Sequence, residues 1–578
     1  LRVSATPGPT PNRYATLGDA IDWSYRLLSD EERTLFNRLA MFAGSFAPEA
    51  THEICGDGGA STRTLDLLSG LVERSMVVLV ETPKGEIRYR LLETLRQFAL
   101  ARLRETGEEE ATARRRRDFF LRLAEQATMP ELRGPRQAYW LDRLELELDN
   151  FRETLAWCRS APDGAEPMLR LVVTPQIFWM VRGHYHEARR WIEAALALNG
   201  DSPSTLRADA LLAVAGIAQV QGDIAASREN REEALRISRA LGDRRFIGAT
   251  LRELGWWYQD QGDYTMARSL HEESLDTHRR IGHRAKTFLA LRALGWIELD
   301  QGNYAEARVL LDESVTVCRE IGHVAGVAGA LRPLGWIAQD QGDYGTARAL
   351  HESSLATFRE LGTPGGIASS LRSLGRVAQR TGDQDTARAR YEESLEIFRR
   401  SRNPWGIGWC LHGLGSVAGL MGDYAAAVTS LEESLLIFRG LSFTQGIGLT
   451  LCALGRVARQ QGHGDRAAAL YTEALSLLRR IPDRAGIAEC LEGYAGAAAA
   501  QKQFTRAARV LGAAAALRDA IGAPVPTCDR PDYDRVDAAV RSGLTQGGFT
   551  AEWNRGRKMS LDQAIQFTSA VVDPGVPQ

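Results

Sequence analysis

The residues whose types and spacing suit chemistry are arginines, tryptophans and aspartates that recur four positions apart. A guanidinium group binds a carboxylate through two parallel hydrogen bonds, and an indole ring offers a large apolar surface. Side chains four residues apart lie on one face of a helix, so the pattern predicts a recognition surface. The candidates are Arg252, Trp256, Asp260, Arg292, Trp296, Asp300, Arg332, Trp336, Asp340, Arg372, Arg376 and Arg380.

A packing interpretation of the same pattern stays open. The segments that carry Arg252, Arg292 and Arg332 are so alike that recent duplication also explains the pattern. The tryptophans would then pack between neighbouring segments or under an arginine in a cation–π pair. In later segments the pattern changes to three arginines and then to His412, Ser416 and Leu420. A binding wall built this way is expected to be amphipathic at first and basic in the middle.

Catalytic motifs are missing from the sequence. It contains neither G-x-x-x-x-G-K-[ST], which cradles nucleotide phosphates, nor the G-x-S-x-G of a nucleophile elbow. His184 and His186 are too few for a zinc site, and His271 and His351 fit packing positions. We therefore expect no enzyme, no catalytic residue, no metal and no cofactor in this chain.

Composition narrows the class of protein. The chain has 578 residues, a net charge of −2 and seven cysteines without a C-x-x-C pair. No apolar run approaches the ~20 residues needed to cross a bilayer. These features predict a cytoplasmic protein without a membrane partner. The Pro- and Thr-containing start lacks Met, from which we expect a linker and a chain that begins within a longer protein.

A period of 40 residues organises the chain. Gly255 and Gly295 begin one series with this spacing, and Gly262 and Gly302 begin another. A fixed period in this range indicates stacked structural repeats. Apolar residues at helical spacing on both sides of Gly262 predict two helices in each repeat, with the glycine ending the first.

The repeats resemble the tetratricopeptide repeat. The stretch L-R-E-L-G-W-W-Y-Q-D-Q-G-D-Y-T-M-A-R from Leu251 to Arg268 matches its small and large positions, although the period is 40 and not the common 34. The resemblance implies an α-solenoid whose inner wall is lined by the first helix of each repeat, and it covers more than half of the chain.

The region before the repeats has a different pattern. Ser29 and Glu32 predict a capping box that opens a helix. Three further helices are expected before residue 75, and two strands, Met76 to Glu81 and Ile87 to Leu91, before a closing helix. Helices followed by a hairpin favour a winged-helix domain.

Three stretches resemble bacterial STAND regulators, which are signal-transduction ATPases often joined to SARP- or LuxR-type DNA-binding domains. They are Leu17 to Phe36 with Tyr89 to Ala99, Trp140 to Trp157, and Ala551 to Ile565. The resemblance implies a nucleotide-binding domain before the winged helix and a repeat arm that serves as sensor. It covers only the second half of that family's architecture, and ATP binding is not expected of this chain.

The fold expected is mainly α, with a small winged-helix domain followed by a tetratricopeptide-repeat solenoid. The organisation expected is a linker over residues 1–14, a winged-helix-like domain over 15–105, a helical linker over 106–164, a degenerate repeat over 165–204, eight 40-residue repeats over 205–524 and C-terminal capping helices over 525–578.

The function expected is that of the sensor region of a STAND-type regulator. Its inner wall would bind a protein, a peptide or a small effector and control a nucleotide-binding domain through the winged helix. The alternatives are a scaffold without a switch and direct binding of DNA. Binding of nucleic acid is disfavoured because residues 15–104 carry eleven basic and thirteen acidic side chains.

Overall fold

A computed structural model describes residues 17–82, 85–127, 136–481 and 483–569. It is mainly helical, as expected, and divides into two compact units, Leu1–Ser202 and Pro203–Gln578. The predicted linker over residues 1–14 and the turn at Pro83 and Lys84 lie outside the described residues. None of the described helices is long and apolar enough to cross a membrane.

The first unit opens with the predicted helices and hairpin. Their bounds are α1 (Leu17–Arg26), α2 (Asp30–Leu39), α3 (Pro48–Cys55), α4 (Ser61–Glu73), β1 (Val78–Glu81), β2 (Ile87–Arg90) and α5 (Glu93–Glu105). The capping box is confirmed: Glu32 N donates to Ser29 Oγ at 3.2 Å, and Ser29 N donates to the Glu32 carboxylate at 2.7 Å. The strands pair antiparallel, with Val78 opposite Arg90 and Glu81 opposite Ile87.

Six more helices complete the first unit. They are α6 (Glu109–Gln126), α7 (Gln137–Leu146), α8 (Leu148–Ser160), α9 (Ala165–Val173), α10 (Gln176–Arg182) and α11 (Tyr185–Leu198). Thr174 and Pro175 interrupt the segment predicted as the first helix of a degenerate repeat, which becomes α9 and α10. Proline lacks the amide hydrogen that a continuous helix needs there.

A buried polar network joins the hairpin to α8. Arg88 and Glu147 are both fully buried, and Arg88 Nη2 donates to Glu147 Oε1 at 2.7 Å. Asn150 Nδ2 donates to the other oxygen of Glu147 at 2.8 Å, and its Oδ1 accepts from the backbone N of Ala43 at 3.0 Å. These bonds run between the hairpin, the Ser45 region and α8, so they hold the hairpin in one position against the helical linker.

The second unit is an array of helices in antiparallel pairs. The pairs are α12 (Thr205–Val220) with α13 (Ile224–Leu241), α14 (Arg244–Asp260) with α15 (Tyr264–Arg280), α16 (Arg284–Asp300) with α17 (Tyr304–Glu320), α18 (Val324–Asp340) with α19 (Tyr344–Glu360), α20 (Pro364–Thr381) with α21 (Gln384–Arg400), α22 (Pro404–Leu420) with α23 (Tyr424–Gly440), α24 (Thr444–Gln460) with α25 (Gly464–Leu478), and α26 (Arg484–Ala500) with α27 (Phe504–Ile521). We number these pairs repeats one to eight. Three shorter helices follow, α28 (Arg530–Ser542), α29 (Gln546–Arg557) and α30 (Leu561–Ser569), and they pack on repeats seven and eight.

The turn within each repeat is fixed by a glycine and a capping residue. Gly262 has a φ of +83°, a left-handed conformation in which a side chain is strained. Asp263 follows it and accepts the backbone N–H of Met266 at 3.0 Å, which starts α15. The same pair of residue types recurs at most of the turns, so each turn has the same geometry.

Close packing inside each repeat explains two of the recurring residue types. A Cβ at Gly255 would come within 2.7 Å of the His271 ring, and one at Gly335 within 2.5 Å of the His351 ring. Ser274 Oγ donates to the carbonyl of Gly248 at 2.7 Å, and its equivalents repeat this bond. The repeated serine therefore ties the second helix of a repeat to the backbone of the first.

The array closes on itself. A Cβ at Gly302 would lie 2.8 Å from Ile521 Cγ2, and one at Gly342 would lie 3.1 Å from Pro524 Cγ. The turn of repeat two makes a similar contact, because Tyr264 shares an apolar cluster with Ile481. The turns of repeats two to four thus pack against the segments that follow repeats seven and eight. We call these contacts the closing seam.

Packing at the closing seam predicts unequal effects of two matched substitutions. Gly302→Ala and Gly222→Ala both place a side chain at nearly the same φ, +76° and +77°. Both lose about 1 kcal/mol to backbone strain, but only Gly302→Ala also clashes with Ile521, since a Cβ at Gly222 meets nothing within 4 Å. We expect Gly302→Ala to cost a further 1–3 kcal/mol or so, measured by urea unfolding. Equal losses in the two variants would mean that the seam does not form.

The buried network predicts a large effect of Glu147→Gln. The substitution removes the buried carboxylate at 2.7 Å from Arg88 and leaves only Glu86, at 3.8 Å, near the buried charge, which costs about 3 kcal/mol. Native-state hydrogen exchange of the amides in β1 and β2 measures this loss. Glu93→Gln is the control, because Glu93 pairs with Arg96 at the surface and its loss costs at most about 1 kcal/mol. Similar losses in both variants would contradict a structural role of the network.

Candidate functional site

The closed array encloses a cavity of about 380 Å³. Ten of the twelve residues predicted for the inner wall line it, and Arg252 and Arg292 are not among the lining residues. The ten are Trp256, Asp260, Trp296, Asp300, Arg332, Trp336, Asp340, Arg372, Arg376 and Arg380. They are brought together because the first helices of repeats two to five stack in register. Occupation of the cavity by a ligand stays a prediction.

Tryptophans form one wall of the cavity, and they also pack between repeats. The rings of Trp296 and Trp336 meet edge to face with centroids 5.0 Å apart, and Trp336 Nε1 donates to Ser373 Oγ at 3.0 Å. Each of these indoles is half-buried and lines the cavity. Packing and exposure to a ligand are therefore not exclusive at these positions. Trp405 and Trp409 extend the aromatic wall from repeat six.

Two of the three arginines expected to make the middle of the inner wall basic, Arg376 and Arg380, are neutralised by carboxylates, which corrects that expectation in part. Arg376 Nη2 donates to Asp340 Oδ1 at 3.0 Å. Arg380 donates to Glu489 at 3.0 Å and to Asp529 at 3.2 Å. Glu489 and Asp529 lie far from Arg380 in sequence and reach it because the array is closed. The pattern within one repeat did not reveal these contacts.

Four residues missed by the sequence analysis complete the site. Arg456 donates to Asp529 Oδ1 at 2.7 Å and to Glu489 Oε1 at 2.9 Å, so two arginines share two carboxylates. Asp483 also faces the cavity. Arg456 lies 80 residues after Arg376, so the 40-residue period could have indicated it, whereas Glu489 is not at a stripe position of repeat eight. Asp529 follows the last repeat, and no period points to it.

Two arginines of the wall have no carboxylate partner among the residues that the structure describes. Arg372 is only 5% exposed, its Nε and Nη2 make no hydrogen bond, and its guanidinium carbon lies 5.1 Å from the Trp336 ring centroid. Burial lowers the pKa of Arg372 to about 10. Burial and the charges of Arg372 and Arg292 lower the pKa of Arg332 to about 9. Both groups nevertheless stay largely charged at neutral pH.

Three carboxyl groups of the wall make no salt bridge with another described residue. Burial raises the pKa of Asp260 to about 6, and burial together with the charge of Asp483 raises the pKa of Asp300 to about 7. Gln219 and Gln259 donate to Asp260 and Asp300, each at 3.2 Å, and Gln445 donates to Asp483 at 3.0 Å. The cavity thus has an acidic part and a basic part whose charges are not paired with each other.

The surface of the winged-helix domain offers little free positive charge. Arg63 of α4 pairs with Glu31, and Arg74 at its end pairs with Glu32. Binding to phosphates needs clustered basic side chains that are free to contact them. Within the described residues, no group of three or more His, Cys, Asp or Glu is placed to hold a metal ion.

Comparison with known families agrees with this architecture. The tetratricopeptide-repeat family matches residues 206–280, 257–320, 326–400, 366–440 and 406–480. The helix pairs are tetratricopeptide repeats. The winged helix-turn-helix domain family matches residues 28–104, which cover α2 to α5 with the hairpin. Neither is a catalytic family.

Curated relatives include proteins named as transcription regulators. Proteins named "Putative HTH-type transcriptional regulator" from Mycobacterium bovis and Mycobacterium tuberculosis are 36% identical over 185 residues, which is 32% of this chain. The chain spans 20% of the length of these relatives. An uncharacterised protein of Mycobacterium tuberculosis is 37% identical over 117 residues, or 20% of this chain and 30% of its own.

Solved structures with similar chains include a Rap protein complexed with Competence and Sporulation Factor. It covers 64% of this chain and 98% of its own, with 12% identity and a TM-score of 0.45. A STAND protein with a tetratricopeptide repeat sensor from Pyrococcus horikoshii covers 74% of this chain and 65% of its own, with 16% identity and a TM-score of 0.37. Both TM-scores are below 0.5, and we infer nothing about function from them.

The raised pKa of Asp300 predicts how stability depends on pH. The folded state binds the proton more tightly than the unfolded chain, so this group stabilises the fold below about pH 4 and the stabilisation is lost as pH rises to about 7. Asp300→Asn does not titrate. The free energy of unfolding of the natural protein minus that of Asp300→Asn should therefore fall by up to about 1.4 kcal/mol per pH unit over this range.

Chemical unfolding at a series of pH values measures this difference. Asp312→Asn, which replaces an exposed carboxylate on α17, is the control and should not reproduce the slope. Parallel pH curves for the natural protein and Asp300→Asn would contradict a buried, protonated Asp300.

Proposed function

We propose that this chain is the sensor region of a STAND-type transcription regulator, and that the enclosed cavity is its effector site. The observation that carries the proposal is the cavity itself, where aromatic rings and unpaired charged groups surround about 380 Å³ of space. Pockets of this size and lining are typical of sites for small ligands. A folded protein is too large to enter it, so the effector is a small molecule or a short peptide.

Binding in the cavity can change the equilibrium between an opened and a closed array, because the cavity wall comes from distant repeats. The wall combines repeats two to five with repeats six to eight and Asp529. An effector that contacts both parts binds the closed array more tightly than an opened one. Occupation therefore shifts the population toward closure at the seam. A scaffold without a switch has no need for such an enclosed space.

The output of the switch is assigned to the winged-helix unit. Its hairpin is fixed to the helical linker by the network of Arg88, Glu147 and Asn150. A rigid connection of this kind suits a domain that relays a change to a nucleotide-binding domain elsewhere in the protein. The names of the mycobacterial relatives, and the small fraction of their length that this chain spans, support a role within a longer regulator.

Ser416→Trp tests the effector site by filling the cavity. Ser416 lines the cavity in repeat six, where repeats two to four carry a tryptophan, and its Oγ has no hydrogen-bond partner. Small-molecule fractions from the native cells are screened for those that raise the melting temperature of the purified chain. We expect active fractions to stabilise the natural chain and to lose this effect on Ser416→Trp.

The matched control is Ala425→Trp, which adds the same side chain to an exposed position on α23 of the same repeat. It should respond to the fractions like the natural chain. The active fraction should also change transcription from a reporter under the full-length regulator, but not under the regulator with Ser416→Trp. An unchanged response of Ser416→Trp in both assays would refute the cavity as effector site, and ATP hydrolysis by the purified chain would refute the assignment to the sensor region.

A further inference from the structure

The charges that line the cavity are neutralised unevenly. Arg376 pairs with Asp340, while Arg380 and Arg456 share Glu489 and Asp529 through four hydrogen bonds of 2.7–3.2 Å. These six groups balance one another without a ligand. The remaining positive charges that line the cavity, among the described residues, are Arg332 and Arg372.

Arg372 has unsatisfied hydrogen-bond donors and no anionic partner among the described residues. It is more than nine-tenths buried, and two of its nitrogens make no hydrogen bond. The rings of Trp336, Trp405 and Trp409 surround its guanidinium carbon at 5.1, 5.2 and 5.9 Å. Cation–π contacts stabilise the charge in this position but do not satisfy the N–H donors.

Arg332 supplies a second guanidinium group to the same cavity as Arg372. It lines the cavity one repeat earlier, its Nε has no hydrogen-bond partner, and Arg372 is the charged group that acts on it most strongly. None of the described groups that act on either arginine is a carboxylate. Two adjacent like charges repel each other unless an anion lies between them.

We propose that Arg332 and Arg372 form the anion-binding end of the effector site, and that the effector is a small organic carboxylate or phosphate whose apolar body lies against the tryptophans. This inference rests on the proposed function and names the chemistry of its ligand. The anion takes the place of the missing carboxylates and accepts the unsatisfied N–H donors. The uncharged part of the ligand then fills the aromatic half of the cavity.

The acidic part of the cavity favours one orientation of the proposed anionic ligand. Asp260, Asp300 and Asp483 line it and make no salt bridge within the described part of the chain, and none of them acts on Arg332 or Arg372. An anionic group is repelled from these carboxyl groups and attracted to the arginine pair. The ligand's charged end therefore binds at Arg332 and Arg372 alone.

Matched probes test the charge requirement directly. The purified chain is titrated with 3-phenylpropionate, phenyl phosphate and the uncharged 3-phenylpropionamide, with tryptophan fluorescence and calorimetry as readouts. We expect saturable binding of at least one anion, and binding of the amide weaker by about ten-fold or more. Equal binding of the amide, or no binding of either anion up to about 10 mM, a very weak affinity, would overturn the proposal.

Variants then test the two arginines. Arg372→Gln and Arg332→Gln should each weaken binding of the anion by about ten-fold or more and leave the amide unaffected. Arg348→Gln, which removes an exposed charge from α19 of the same repeat as Arg332, should keep the natural affinity. Should Arg372→Gln fail to fold by circular dichroism, Arg332→Gln decides alone. Natural affinity in Arg332→Gln would then overturn the proposal.

The result is separable from that of the cavity-filling variant. If Ser416→Trp abolishes the response to native fractions while no anionic probe depends on Arg332 or Arg372, the effector site stands and its anionic chemistry is wrong. If anions bind through the arginines but Ser416→Trp leaves transcription unchanged, the anion site stands and the signalling role is wrong.

Discussion

Contact between the turns of repeats two to four and the segments after repeats seven and eight is the constraint on which the second unit depends. Stacked helix pairs alone give an open array whose inner face is exposed along its length. Here Ile481, Ile521 and Pro524 pack onto Tyr264, Gly302 and Gly342, and the inner face becomes the wall of a closed space. Glycine is required at these turns for two reasons: the backbone is left-handed, and the opposing side chain occupies the space that a Cβ would need.

Closure also decides which charges on the inner wall are free. Arg380 would be an exposed cation in an open array, but in the closed one it shares Glu489 and Asp529 with Arg456. Removing such charged groups from water costs free energy, and this cost is offset only if each group makes well-placed hydrogen bonds to its partners. Arg380 lies 109 and 149 positions from its two carboxylates, so its pairing ties the electrostatics of the cavity to the completeness of the array. Arg332 and Arg372 stay outside this balance, which is why they are the positions that favour an anion.

Much of the fold was predictable because it repeats. The 40-residue period, the glycine at each turn and the apolar spacing defined the helix pairs, and the capping box with two short apolar strands defined the winged helix. Ten of the twelve residues predicted for the inner wall also line one cavity. The sequence did not reveal the closing seam or the role of Asp529, because these depend on the cumulative rotation of the stacked repeats. Local spacing carries no information about that rotation, so the sequence could not show that carboxylates neutralise Arg376 and Arg380 but not Arg372.

The closing seam has a consequence for how this gene can evolve. Open solenoids tolerate changes in copy number, since unequal crossing-over between near-identical units only lengthens or shortens them. In this protein, insertion or loss of one 40-residue unit between repeats four and seven would move Ile521 and Pro524 away from the turns that receive them. Repeats two to four have nearly interchangeable sequences. The closing seam thus fixes the number of repeats, while the side chains of these repeats remain free to diverge.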